Sequence, residues 1–185
     1  TFLKLNVAHP LLSDVRVRRA ISLALDRNGI ARALLRDDDL GASQLFPPAM
    51  TMWHQPALAP LRSDPAAARA LLRQAGFVPG ADGILWRDGR RFEITLTTFV
   101  DRPELPLIAT AVQEELRQVG IAVKVVVGNS SDIPAGHRSG ALQIGLVARN
   151  FGSLPDPVAT LADDYGTEGG DWGAMGWHSA PLTDA

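Results

Sequence analysis

The feature that most constrains this chain is a strand–helix–strand run between residues 92 and 127. Phe92 to Phe99 alternates, with Phe92, Ile94 and Leu96 on one side and Glu93, Thr95 and Thr97 on the other. Glu104 to Val119 then carries Ile108, Ala111, Val112, Leu116 and Val119 at helical spacing and stops at Gly120. Ile121 to Val127 is an apolar run of the length of a buried strand. Two strands joined by a helix of this length run parallel, with a right-handed crossover. The chain is therefore committed to an α/β fold, and Val125, Val126 and Val127 are expected inside it.

The remaining segments fit around that unit. Thr1 to Val7 alternates like a strand, with Phe2, Leu3, Leu5 and Val7 apolar and Lys4 and Asn6 polar. Ser13 or Asp14 caps a helix whose stripe is Val17, Ala20, Ile21, Ala24 and Leu25, leaving Arg16 and Arg19 outside. Asp26 caps a second, short helix with Ile30, Ala33 and Leu34 inward, closed by the loop at Asp37–Asp39. Residues 46–61, with four prolines, read as loop. Asp64-Pro65 opens a helix with Ala68, Leu71, Leu72 and Ala75 on its apolar face, and Gly76 ends it. Ile84–Trp86, a turn at Asp88-Gly89 and Phe92–Phe99 read as a hairpin. A short helix over Asp132–Ser139, a buried strand over Ala141–Ala148 and a helix from Pro157 to about Asp164 follow. Gly166 to Gly176 reads as irregular.

Several chemistries are excluded or disfavoured. The 185 residues carry a formal charge of -2, without the basic excess that nucleic-acid binding requires. There is no cysteine, so thiol chemistry and disulfides are absent. His9, His54, His137 and His178 are scattered, with neither an H-E-x-x-H nor a close carboxylate partner, so no metal site is expected. No nucleophile elbow or phosphate loop is present. We therefore expect no catalytic residues, no cofactor and no enzyme activity. No charged and apolar leader opens the chain and no closing element ends it. Both ends are read as cuts in a longer chain.

Five stretches, in order, carry a resemblance. Asp14-Val-Arg-Val-Arg-Arg-Ala-Ile-Ser-Leu-Ala-Leu-Asp-Arg27 resembles a segment of the family 5 extracytoplasmic solute-binding proteins, the peptide/nickel/opine group. Phe2-Leu-Lys-Leu-Asn6 is similar to the strand that precedes it there. Asp64 to Gly76, Ala111 to Ile121 and Phe151 to Pro157 are similar to further segments of that family. The resemblance implies one α/β lobe, residues 1–185, of a two-lobe periplasmic-binding-protein type II fold, with a mixed sheet flanked by helices. It implies a binding component of a bacterial ABC importer, which captures a small solute (peptide-like, metal chelate or opine) between two lobes. Its partners would be the other lobe of its own chain and a membrane permease. Its location would be periplasmic or extracellular, with a lipid anchor as one option. A non-catalytic sensory or chaperone-like domain, or an accessory part of a hydrolase, stands as the alternative.

Ligand contacts are expected in loops at strand ends. The best segment is Arg149-Asn-Phe-Gly-Ser-Leu-Pro-Asp156. Phe151 takes the position of an aromatic that, in the resembled family, packs on the ligand. Arg149 has the fork for a ligand carboxylate, or for an ion pair with Asp156. Asn150 and Ser153 are polar candidates beside it. Trp53 and His54 are further candidates in the proline-rich loop, and Asp156 reads as the cap of the next helix. The loop lacks the acidic residue of peptide binders and the Trp and Tyr of nickel binders.

Overall fold

The computed structural model describes residues 1–36, 41–151, 156–166 and 170–177. The expected crossover unit is its centre. β5 (Glu93–Phe99) and β6 (Ala122–Gly128) pair in parallel along their whole length, from Glu93↔Ala122 to Phe99↔Gly128, with α4 (Glu104–Gln118) between them in sequence. β7 (Ile144–Val147) pairs in parallel on the other side of β5, and β1 (Phe2–Leu5) joins β7 antiparallel. The result is a mixed four-stranded sheet of order β1-β7-β5-β6. A separate small antiparallel sheet holds β2 (Val78–Pro79), β3 (Leu85–Arg87) and β4 (Arg90–Arg91).

Helices cover both faces. Leu105, Ala109, Val112 and Leu116 bury the inner face of α4 against the sheet. α1 (Val15–Ala24) packs on α3 (Pro65–Gln74), with Val17, Ala20, Ile21, Ala68 and Leu72 almost fully buried. Asp14 caps α1 by accepting the Arg16 N–H, and Asp64 caps α3 by accepting the Ala67 N–H. Gly76 takes the left-handed conformation that its place after α3 requires, at φ 88°. α2 (Arg27–Leu35) is capped by Asp26. The opposite face carries α5 (Asp132–Ser139), whose Ile133 packs against Gly145. α6 (Val158–Tyr165) follows the segment after β7.

Four local expectations change. The hairpin is shorter: Arg87 pairs with Arg90, and Phe92 passes the chain into the main sheet. In α2, Ala31 is buried and Ala33 exposed, so the inward stripe is rotated. Val126 and Val127 are exposed, because β6 is an edge strand with one uncovered stretch. In and just after β1 the polar residues are the buried ones: Lys4 and Asn6 lie under α5 and the segment at 170–175. Asn6 is satisfied there by donating to the Leu142 carbonyl at 2.9 Å.

Candidate functional site

β5 and β7 end together, so the segments that leave them share one rim of the sheet. In α/β folds this carboxyl end is where loops free of the ladder can reach a ligand. Here it carries Val100 and Asp101 after β5, Asn129 after β6, and Arg149, Asn150 and Phe151 after β7. Val100 is an exposed apolar residue at this rim.

The structure draws in the proline-rich loop. The ring of Phe46 stands edge-on to Phe151, with centroids 5.4 Å apart, and lies 5.8 Å from the ring of Trp53. His54 Nδ1 is 2.9 Å from the Phe46 carbonyl, which ties the two ends of that loop segment together. Trp53, His54 and Phe151, expected separately from the sequence, therefore belong to one aromatic cluster with Phe46 at its centre. Phe46 was missed because its neighbour in the cluster is 105 positions away and no periodicity links them. Phe151 is only 5% exposed, so its ring supports the rim from within. Trp53 and His54 are half-buried and Asn150 is exposed. Ser153 lies outside the described residues.

Arg149 does not pair with Asp156. Its Nε and Nη2 each donate to a carboxylate oxygen of Asp164 at 2.8 Å, a bidentate fork on α6. Asp164 is almost completely buried, so it needs that partner. Asp156 instead accepts the Val158 N–H at 2.9 Å from one residue before the N-cap, which is Pro157 rather than Asp156. The nearby Tyr165 hydroxyl has its pKa raised, first by burial and then by the Asp164 charge.

Beside the rim a groove of about 490 Å³ opens between β1, α1, α2 and the segment after β7. Leu3, Leu5, Ile21 and Leu25 line its floor, and Phe151 and Tyr165 line one wall. Its lining is mostly apolar. The outer edge of β1 borders it. Asn6 donates inward to Gln143, whereas Val7 donates outward to the Met175 carbonyl. By alternation, Leu3 and Leu5 turn their peptide groups outward; the parallel bridge to Met175 occupies that side at Leu5 and Val7.

The family described as bacterial extracellular solute-binding proteins, family 5 Middle, matches residues 1–172. The oligopeptide-binding protein AppA of Bacillus subtilis is 33% identical over 123 residues, which is 64% of this chain and 22% of that protein. The nickel-binding periplasmic protein of Escherichia coli is 28% identical over 98% of this chain and 35% of its own length. The crystal structure of a nickel ABC transporter protein from Bacillus halodurans superposes with a TM-score of 0.79 at 24% identity, covering 98% of this chain and 37% of that one. The fold is thus that of the periplasmic-binding-protein type II proteins, and the chain spans well under half of the relatives it matches.

Proposed function

This chain belongs to family 5 of the bacterial extracellular solute-binding proteins, and from that premise we propose that it is one lobe of a two-lobe protein that captures a solute for an ABC importer. The observation that carries the proposal is the rim. Parallel strands deliver Arg149, Asn150 and Phe151 to the same end of the sheet, and Trp53 and His54 are packed beside them through Phe46. Such a rim has the make-up of one wall of a ligand site: aromatic surface with a few polar groups.

In this reading Asn150, Trp53 and His54 meet the solute. Phe151 supports Phe46 and Trp53 from behind, and Arg149 holds α6 in place through Asp164. The solute class is peptide-like or a metal chelate, in keeping with the oligopeptide- and nickel-binding relatives. The protein works by closing two lobes on the solute and presenting the closed form to a membrane permease, outside the cytoplasm and without catalysis.

The apolar groove has a different role. Its floor offers few polar groups to a peptide or chelate, and β1 presents outward peptide groups at its border ahead of the Met175 bridge. Further residues of the same polypeptide, outside 1–185, fit that surface by adding to β1 and filling the groove. A thermal-shift screen of the intact protein against oligopeptides and nickel chelates tests the function. A ligand at 100 times its dissociation constant adds about 2.7 kcal/mol of stability. Stabilisation by one of these classes is expected; a protein that responds to none of them at millimolar concentration is not such a receptor.

A further inference from the structure

Lys4 is a lysine only 3% exposed, in the middle of β1, on the sheet face away from α4. Its ammonium donates to the Asp171 carbonyl at 2.6 Å and the Gly170 carbonyl at 3.3 Å, and it lies 2.5 Å from Nδ1 of His137 on α5. An ammonium only donates, so His137 can keep this contact only while its Nδ1 carries no proton. The segment held by Lys4, residues 170–177, has no helix or strand of its own beyond the isolated Asn6–Met175 bridge. Its other anchors are the Asp171 carboxylate on Arg138, Trp172 edge-on to Phe99, the buried Met175, whose carbonyl accepts the Val7 N–H at 3.0 Å, and the Asp164 carbonyl, which accepts the Gly170 N–H at 3.2 Å and the Ala174 N–H at 2.8 Å.

We propose that Lys4 and His137 form a proton-controlled latch, which holds residues 170–177 against the sheet at neutral pH and loosens them in mild acid. The charged groups around the pair come from every neighbouring element. They are Lys4 on β1, His137 and Arg138 on α5, Arg149 after β7, Asp164 on α6 and Asp171 on the segment itself. Burial first, then the charge of Lys4, holds the His137 imidazole below its ordinary pKa of 6.5; Arg138 adds to this and Asp171 opposes it. The sign follows. With the segment released, His137 takes up a proton near 6.5; latched, it does so only at lower pH. The latch is therefore at full strength above 6.5 and weakens as pH falls through that value. Protonated His137 would point an N–H at an ammonium. Because Trp172 covers Phe99 at the carboxyl end of β5, release uncovers an aromatic surface next to the rim.

Hydrogen exchange of the intact protein at pH 7.5 and 5.5, expressed as protection factors, tests this. Peptides covering residues 1–8 and 170–177 are expected to lose protection at the lower pH, by up to about tenfold, while β5 and β6 keep theirs. His137→Gln retains an acceptor that does not titrate and should abolish the loss. Lys4→Met should show weak protection of the same peptides at both pH values. Unchanged protection in the native protein, an equal loss in His137→Gln, or full protection in Lys4→Met would each overturn the latch.

Discussion

Arg149 and Asp164 meet as a fork on a carboxylate, two contacts of 2.8 Å, with the carboxylate 3% exposed and the guanidinium 28% exposed. The arrangement ties the rim of the sheet to α6. It also commits an arginine that the sequence offers equally well to a solute.

The first prediction follows. Arg149→Ala leaves a buried carboxylate without its partner and should cost about 3 kcal/mol of stability. Arg149→Lys keeps the charge but not the fork and should fall between the two. Denaturant titration measures both. A variant as stable as the parent, but with lost solute binding, would return Arg149 to the ligand.

A second prediction concerns the α1–α3 interface. Leu72 is fully buried there, so Leu72→Ala should cost about 3 kcal/mol, and Leu72→Asp should prevent folding by adding an unpaired carboxylate. Arg16 is exposed and, among the described residues, bonds Asp14 and the Gln74 carbonyl, so Arg16→Ala should melt close to the parent. Circular dichroism melts decide it; a Leu72→Asp chain melting like the parent would mean the helix face is wrongly assigned.

Gly76 and Gly120 both end helices at positive φ, 88° and 90°. They differ in surroundings. A Cβ on Gly76 would meet nothing closer than 3.5 Å, whereas one on Gly120 would lie 2.7 Å from Leu85 and 3.0 Å from the Gly83 carbonyl. Gly76→Ala should therefore cost about 1 kcal/mol, the backbone penalty alone. Gly120→Ala should cost clearly more in the same unfolding experiment, and equal losses would contradict the packing described.

The pattern of what the sequence reveals is physical. Helices α1 and α3 are legible because an Asp cap, an apolar stripe and, for α3, a closing glycine all act within a dozen residues. The parallel pairing of β5 and β6 follows from connection length. What escapes is set by neighbours distant in sequence. Val126 and Val127 look like core because an edge strand cannot be told from a central one by its own residues. β2 is two residues with a proline, too short for any period. Lys4 and Asn6 look solvent-facing by alternation, yet α5 and residues 170–175 cover them. The rim was partly legible: Trp53, His54, Arg149 and Phe151 were recognisable as loop residues, but Phe46 and the choice of Asp164 over Asp156 depend on tertiary placement.

On the alkaline side, burial pushes the Lys4 ammonium down from 10.5 to about 8, with Asp164 and Asp171 opposing. The folded chain then releases this proton near 8, while the unfolded chain holds it to 10.5. Between these values the unfolded state binds more protons, so the Lys4 contribution to stability rises with pH. The stability difference between the parent and Lys4→Met, measured by denaturant at pH 7.0 and 9.5, should shift in favour of the parent at the higher pH. A difference independent of pH would show that Lys4 is not desolvated.

The central claim is that this chain supplies one wall of a solute site and that other residues supply the opposite wall. Isothermal calorimetry with a solute identified in the screen tests it most directly, on the intact protein and on a 1–185 chain shown by circular dichroism to be folded. A single lobe leaves the ligand half in water, where a polar contact contributes about 1 kcal/mol or less against an immobilisation cost of about 4 kcal/mol or more. The account predicts affinity at least about a hundredfold weaker for residues 1–185 alone, with Trp53→Ala weakening the intact protein further. Affinities that agree within about threefold would place the whole site inside these 185 residues and contradict the two-lobe account.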